Sequence, residues 1–414
     1  MEKRKIEIMS PAGGYESLMA AIQGGANSVY FGVEQLNMRA RATMNFSTED
    51  IEKVARICNE NSVRSYITLN TIIYDHDLML MKQIVNLAKQ FGISAIIASD
   101  QAVISYARSA GMEVHISTQL NVTNIETVKF YALFADTIVL ARELSLNQVK
   151  KITDAIKKEN IAGPSGRLIE IEIFVHGALC MAVSGKCYLS LHTHNASANR
   201  GACVQNCRRT YTVTDNEEGY ELEIHNEYIM SAKDLCTIDI LDQVIESGVK
   251  VLKIEGRGKG PEYVKTVTRC YREAANAILE STYTREKAEA WRKELDNVYN
   301  RGFWAGYYLG QELGEWTDSS GSKAKQKKVY IGHGLTYFKK IGVAEFQLES
   351  GTLKPGDAIM VTGPTTGVIE SVVDEIHTDT GPALVAEKGD RCSIKIGAPI
   401  RKNDKLYKMI PAEA

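Results

Sequence analysis

The feature that most constrains this chain is a regular alternation of short apolar segments with helix-period segments over about its first 280 residues. The predicted strands are Ile6–Met9, Ser28–Phe31, Ser65–Asn70, Ser94–Ala98, Glu113–Ser117, Thr137–Leu140, Ile169–Val175 and Val251–Ile254. Helix-period segments such as Glu49–Asn61 and Asp77–Phe91 lie between them. Strands that alternate with helices predict an α/β protein with a parallel sheet, and eight such units predict a closed (β/α)8 TIM-like barrel.

An open, doubly wound sheet is the alternative to the closed barrel. Polar side chains follow nearly every predicted strand, as expected where all strand ends meet at one barrel mouth. None of these strand ends carries the G-x-G-x-x-G fingerprint of a dinucleotide-binding sheet. The barrel is therefore the favoured prediction.

The pattern changes near Val329, where short alternating strands follow one another at close spacing. These strands predict a small antiparallel β-barrel. Its turn LKPGD, with KGD before a later strand, resembles the second domain of translation elongation factor Tu, a domain type that docks RNA in many translation proteins. We divide the chain into a TIM-like barrel at 1–310, a polar linker with the run KAKQKK at 311–328, and this β-barrel at 329–414.

Composition restricts the compartment and the kind of partner. The chain has 414 residues, 44% of them hydrophobic, and a net charge of −2, so RNA would have to be held by a local basic patch. The amino-terminal run MEKRKIEIMSP has no apolar stretch typical of a signal peptide, and no run of about 18 apolar residues predicts a membrane span. A cytoplasmic location without membrane contact is the expectation.

Four of the eight cysteines fall between His176 and Arg208, spaced Cys-x6-Cys-x15-Cys-x3-Cys. They are Cys180, Cys187, Cys203 and Cys207. Four thiols in one polar segment can bind zinc, hold an iron–sulfur cluster or pair as disulfides. A reducing compartment disfavours disulfides. The spacing lacks the two-residue gap usual in zinc sites, which favours iron–sulfur over zinc. Cys236 is an alternative fourth ligand, although a core position suits it better.

Charged and amide side chains follow the predicted strands. These candidates are Arg39, Arg41, His115, Gln119, Arg142, His176, Lys253, Glu255 and Arg257. Their convergence on a barrel mouth predicts a pocket for a small anion. Arg39 and Arg41 are two residues apart and could form a fork for a carboxylate or phosphate.

Five segments of the chain together resemble peptidase family U-32, whose members are also called collagenase-like proteases. They read SPAGGYESLMAAIQGGANSVYFG, NMRARATMNF, EIFVHGALCMAVSGKCYLS, NRGACVQNCR and KIEGR. The resemblance implies an iron–sulfur protein that hydroxylates without molecular oxygen. The transfer-RNA branch is the most similar, and it implies conversion of wobble uridine to 5-hydroxyuridine with prephenate as co-substrate. It also implies the four clustered cysteines as ligands of a cluster, most simply a 4Fe-4S cluster.

The resemblance supports a hypothesis for the remaining site residues. Four arginines would supply bidentate donors for the two carboxylates of prephenate: Arg39, Arg41, Arg142 and Arg257. His115, Gln119 and Lys253 would lie around the pocket. His176, Glu255 and Arg142 are the expected catalytic residues: His176 to move a proton or orient a ligand, and Glu255 to act as a base or pair with an arginine. Transfer RNA is the expected large partner, and a paralogous subunit or a second copy of the chain is a further one.

Two other classes of function stay open at this point. The first is a peptidase, as the family name says, although the sequence has no GxSxG and no HExxH motif. The second is a non-catalytic RNA-binding subunit of a hydroxylase complex.

Overall fold

A computed structural model describes residues 6–40, 45–212, 228–310, 315–319 and 321–412. Its first part contains nine strands in a row. They are β1 Glu7–Pro11, β2 Ser28–Gly32, β3 Arg64–Leu69, β4 Ala95–Ala98, β5 Glu113–Ile116, β6 Thr137–Val139, β7 Glu170–Gly177, β8 Asp234–Cys236 and β9 Val251–Ile254. Strands β1 to β7 pair in parallel, each with the next, and β9 closes the ring by pairing in parallel with both β7 and β1. β8 lies outside this ring. The predicted eight-stranded barrel is confirmed.

The barrel strands are buried on both faces, as parallel strands covered by helices are. Met9, Tyr30, Tyr66, Ile97 and Val251 are among the side chains that fill the interior. A larger cluster of apolar side chains lies between the strands and the surrounding helices. The barrel is therefore a packed scaffold, and only its mouth can hold a ligand.

Ten helices belong to the described part of the chain. They are α1 Tyr15–Gln23, α2 Asp50–Glu60, α3 Leu78–Gln90, α4 Gln101–Ser109, α5 Ile125–Ala132, α6 Leu146–Lys158, α7 Leu189–His194, α8 Leu241–Glu246, α9 Pro261–Leu279 and α10 Arg285–Leu295. Local signals start several of them; Ser145, for example, accepts from the backbone N–H of Gln148 in a capping box. None of the described helices is long and apolar enough to cross a membrane.

The chain leaves the barrel between β7 and β9, and this excursion carries the four clustered cysteines. It contains α7 and two short 3-10 turns, Ala198–Arg200 and Asn206–Arg208. It returns through β8, which pairs antiparallel to the end of β7 and parallel to β10 (Phe303–Trp304). The sequence around Cys236 predicts the start of a helix, but the structure places Cys236 at the end of the strand β8. The sequence also predicts a hairpin at 210–230, which lies mostly outside the described residues.

The carboxy-terminal part is antiparallel, as predicted. Its strands are β11 Gln326–Phe338, β12 Val343–Leu348, β13 Thr352–Leu353, β14 Ala358–Gly363, β15 Gly367–Val372, β16 Ile376–Thr378, β17 Gly381–Ala383, β18 Ala386–Glu387, β19 Arg391–Lys395 and β20 Lys405–Pro411. Eight of them form one sheet in the order β15-β14-β20-β11-β12-β19-β16-β17 around a core that includes Phe346 and Leu406. β11 begins at Gln326, inside the segment expected to be linker.

The carboxy-terminal sheet packs on the outside of the barrel, against α1 and α9. The Gln23 side chain donates to the carbonyl of Thr366 at 2.9 Å and accepts from the N–H of Val368 at 3.0 Å. Lys328 Nζ lies 2.7 Å from Glu262 Oε2, at the start of α9. The end of the expected linker is therefore bound to the barrel.

Candidate active site at the barrel mouth

The four clustered thiols line one cavity at the carboxyl ends of the barrel strands. Cys180, Cys187, Cys203 and Cys207 all border this cavity of about 170 Å³, which we call the thiol cavity. None of the four is in a disulfide; Cys180 is exposed and the other three are half-buried. The sequence therefore brings together four free thiols that lie up to 27 positions apart in the printed chain.

The cysteine segment is fixed to the barrel by backbone-directed contacts. Arg208 donates from Nη2 to the carbonyl of Leu179 at 2.7 Å, and Arg200 donates from Nη1 to the carbonyl of Ile72 at 2.9 Å. Gly201 has φ of +80°, and a Cβ there would lie 2.4 Å from the carbonyl oxygen of Asn37. Only glycine combines this conformation with so close an approach.

The thiols influence one another electrostatically. Burial raises the pKa of Cys207, the Arg208 charge lowers it, and negative charge on Cys180, Cys203 and Cys187 raises it further. Four thiolates in one cavity thus repel each other unless a cation neutralises them, and a metal centre supplies such charge. In the described chain, no three His, Cys, Asp or Glu side chains are placed to hold a single metal ion. One tetrahedral zinc ion would require sulfur atoms about 3.8 Å apart.

Cys236 does not line the thiol cavity. Its side chain is buried in β8 and lies 3.8 Å from the hydroxyl of Tyr271. Burial raises the pKa of this thiol to about 11. Of the two alternative fourth ligands, Cys207 is the one that faces the other three.

Several of the predicted polar residues form the opposite wall of the thiol cavity. These are Arg39, Gln119, Arg142, Lys253, Glu255 and Arg257. Two of the cations are paired. Arg39 Nη2 lies 2.7 Å from Glu255 Oε1, and Lys253 Nζ lies 2.7 Å from the buried Glu172 Oε1. Although burial alone would raise the pKa of Glu255, the charge and hydrogen bond of Arg39 lower it to about 2.

Arg142 and Arg257 have no carboxylate within ion-pair distance among the described residues. Arg257 donates from Nη1 to Asn37 Oδ1 at 3.0 Å and to Thr68 Oγ1 at 2.8 Å, and burial lowers its pKa to about 10. Arg142 lies 4.0 Å from the ring centre of Phe174, and its buried Nε has no hydrogen-bond partner in the described structure. Two positive charges therefore face the cavity uncompensated, which suits an anion with two carboxylates.

The absence of a side chain at Gly32 makes room for one of these arginines. Gly32 ends β2, and a Cβ at this position would lie 2.6 Å from Arg257 Nη1 and 2.5 Å from the Asn37 side chain. The missing side chain thus lets Arg257 reach across the barrel mouth.

Two predicted histidines lie outside the cavity lining. His115 lies deeper in the barrel, with Nε2 3.2 Å from Glu113 Oε1 and Nδ1 3.6 Å from Glu172 Oε2. Burial would lower the pKa of His115, but Glu113 and Glu172 raise it. Ser117 and Gln119, in the turn that follows the end of β5, do line the cavity.

His176 points away from the barrel mouth. The pairing register of β7 with β9 shifts between Phe174 and His176, so that Phe174 lines the cavity while His176 packs against Tyr263 and Tyr271. Burial lowers the pKa of His176 to about 3. A β-bulge is not visible in the sequence, and it turns this side chain outward. Arg41 lies outside the described residues.

Sequence reasoning missed Lys259. This lysine borders a second cavity that shares Arg39, Glu255 and three of the cysteines with the thiol cavity. Burial lowers the pKa of Lys259 to about 7, and the Arg301 charge acts in the same direction. The sequence contains a pattern that points to this lysine. Charged residues stand at every second position after the start of the last barrel strand: Lys253, Glu255, Arg257 and Lys259.

Comparison with known proteins identifies the family of this chain. The model of peptidase family U32 matches residues 13–318. A protein of Porphyromonas gingivalis named collagenase is 56% identical over 99% of this chain and 99% of its own length. A protein of Bacillus subtilis named tRNA hydroxylation protein P1 is 30% identical over 90% of this chain and 88% of its own length. A 23S rRNA 5-hydroxycytidine synthase of Escherichia coli is 34% identical over 76% of this chain and 47% of its own length. This chain belongs to peptidase family U32.

Proposed function

We propose that this protein is an RNA hydroxylase that converts a wobble uridine of transfer RNA to 5-hydroxyuridine. The observation that carries the proposal is the thiol cavity, where four free thiols and two uncompensated arginines face the same space. Thiols of this kind suit a redox centre, and the arginines suit a small anionic co-substrate. The relatives named for tRNA hydroxylation and for 5-hydroxycytidine synthesis support RNA as the large substrate.

The four thiols would hold an iron–sulfur cluster, most simply a 4Fe-4S cluster. They fit this group because they are unpaired and line one cavity. When bound, the cluster would supply electron transfer. Replacing a ring hydrogen by hydroxyl removes two electrons from the base, and prephenate, as the oxygen donor, would be the two-electron acceptor.

Arg142 and Arg257 would bind the two carboxylates of prephenate. Both guanidinium groups are held in place, Arg142 by the Ala178 carbonyl at 3.1 Å and Arg257 by Asn37 and Thr68. Arg39 contributes less net charge because Glu255 neutralises it. This division differs from the fork of Arg39 and Arg41 expected from the sequence.

Lys259 is the candidate to receive, through a relay across the thiol cavity, the proton that leaves the base, because the cavity it borders shares Arg39, Glu255 and three cysteines with the thiol cavity. Its pKa of about 7 leaves a neutral amine available near neutral pH. Glu255 is a weak base because its pKa is about 2, and His176 does not face the cavity. In this proposal Glu255 positions Arg39, and His176 supports the fold.

A peptidase is the second candidate, because the relative named collagenase is similar over almost the whole chain. Peptidases with a thiol or serine nucleophile pair it with a base. Among the described residues, no cysteine thiol or serine hydroxyl is hydrogen-bonded to a histidine. The geometry therefore supports the hydroxylase better.

Mass spectrometry of transfer-RNA nucleosides tests the proposal. We expect 5-hydroxyuridine and its derivatives to fall in a strain lacking this gene and its paralogues, and in a strain blocked before chorismate, the precursor of prephenate. Unchanged nucleosides in the first strain, together with cleavage of collagen by the anaerobically purified protein, would favour the peptidase.

A further inference from the structure

A third cavity adjoins the thiol cavity and has a different chemistry. Its volume is about 300 Å³, and it shares Asn70, Gln119, Gly185 and Cys187 with the thiol cavity. Ligand pockets span about 300–1,000 Å³, so this one suits a single ring system with its sugar rather than a longer peptide. We call it the amide cavity.

The lining of the amide cavity is rich in carboxamides and carries one cation, Lys186. Its polar side chains are Asn70, Ser99, Gln101, Gln119, Lys186, Ser197 and Asn199. The described lining contains no Asp or Glu. A carboxamide both donates and accepts hydrogen bonds, so four of them match a neutral ring whose edge alternates carbonyl oxygens with an N–H. The edge of uracil has this pattern.

Contacts within the wall hold two of these carboxamides in place. Asn70 accepts at Oδ1 from the N–H of Met38 at 3.3 Å, and its carbonyl accepts from Ser99 Oγ at 2.9 Å. The carbonyl of Asn199 accepts from the N–H of Ile72 at 3.1 Å, and its side chain accepts from Ser197 Oγ. A site with preset partners binds at a lower entropic cost.

Three exposed apolar side chains stand among these polar groups. Tyr188 is 73% exposed, Ile72 40% and Leu191 39%, and all three border the amide cavity. Tyr188 lines the amide cavity and follows Cys187, which lines both cavities. Aromatic and branched side chains of this kind are the platforms on which unstacked bases lie in RNA-binding proteins.

We infer that the amide cavity takes the target pyrimidine, turned out of an RNA loop, with its ring against Tyr188 and its edge against the carboxamides. This inference rests on the proposed function and assigns its two substrates to separate cavities. The base lies beside Cys187, and the dicarboxylate lies beside Arg142 and Arg257. Cys187 lines both cavities, and the other three thiols line the thiol cavity.

Binding of two anticodon-arm hairpins to the anaerobic, iron-loaded protein tests this assignment. One hairpin carries uridine at the wobble position, and the other has no base there. We expect the wild type to bind the first about tenfold more tightly, because stacking of one base contributes to this extent. Tyr188→Ala and Gln101→Leu should each reduce this ratio of the affinities for the two hairpins to less than about threefold. Tyr188→Phe keeps the ring and should preserve it.

Phe130→Ala is the matched control, because Phe130 is an aromatic side chain, 56% exposed, on α5 and outside the amide cavity. Its ratio should equal that of the wild type. A wild-type ratio that both Tyr188→Ala and Gln101→Leu preserve would overturn the base assignment while leaving RNA as the substrate. Failure of the wild type to bind either hairpin would overturn the assignment and the proposed function together. Binding of a collagen peptide that Tyr188→Ala abolishes would make the cavity a peptide subsite instead.

Discussion

Arg39 and Glu255, separated by 216 positions in the chain, form an ion pair of 2.7 Å that joins the loop after β2 to the end of β9. The pair removes one positive charge from the barrel mouth and leaves Arg142 and Arg257 as the uncompensated cations of the described site.

Arg142→Ala and Arg257→Ala should each weaken prephenate binding by about tenfold or more, because a charge-assisted hydrogen bond contributes about 1.5–3 kcal/mol. Arg39→Ala should weaken it less, because Glu255 already neutralises Arg39. Isothermal titration calorimetry measures all three. Arg285→Ala, at an 89% exposed side chain on α10, is the control. A larger loss with Arg39→Ala than with Arg142→Ala would contradict the assignment.

Glu255→Gln should destabilise the fold at neutral pH and have less effect in acid. The pKa of Glu255 is depressed in the folded protein, so the ionised carboxylate stabilises the fold above the ordinary pKa of 4.5, and this contribution is lost as pH falls toward about 2. The difference between the two pKa values corresponds to about 3 kcal/mol.

Urea unfolding at pH 7 and at about pH 2.5, close to the folded-state pKa, measures the effect. Glu289→Gln is the control, because Glu289 pairs with Arg285 on an exposed helix face, where such a pair contributes about 0.3–0.5 kcal/mol. A loss for Glu255→Gln that is as large at the acid pH as at pH 7 would show that its cause is not the charge.

Hydroxylation should speed up as pH rises through about 7 and then level off, because Lys259 acts after losing its proton. Lys259→Arg stays protonated, so it should lose about a hundredfold in rate and show no inflection near pH 7. Lys293→Arg on the exposed side of α10 is the control. If Lys259→Arg keeps the wild-type pH profile, then Lys259 is not the proton acceptor.

Anaerobically purified protein should contain iron and sulfide and absorb visible light. Cys207→Ala should lose most of its iron, whereas Cys236→Ala should retain it, because Cys236 is buried in β8 away from the cavity. Iron and sulfide analysis with an absorption spectrum checks both. Loss of iron in Cys236→Ala but not in Cys207→Ala would mean that the fourth ligand is wrongly assigned.

The barrel was predictable from the sequence because alternation of strands and helices is a local property. The positions of individual site residues were less predictable. His115 and His176 both follow the pattern of a polar residue at a strand end, yet one lies a layer too deep and the other is turned outward by a register shift. The pairing of Arg39 with Glu255 depends on contacts between distant loops, which no local pattern encodes.

The thiols at the barrel mouth should be needed to hydroxylate transfer RNA. Complementation of a strain lacking this gene and its paralogues tests this requirement most directly. Mass spectrometry of transfer-RNA nucleosides should show 5-hydroxyuridine derivatives restored by the wild-type gene and by Cys236→Ala, but not by Cys207→Ala. Restoration by Cys207→Ala, or no effect of the deletion itself, would contradict the claim.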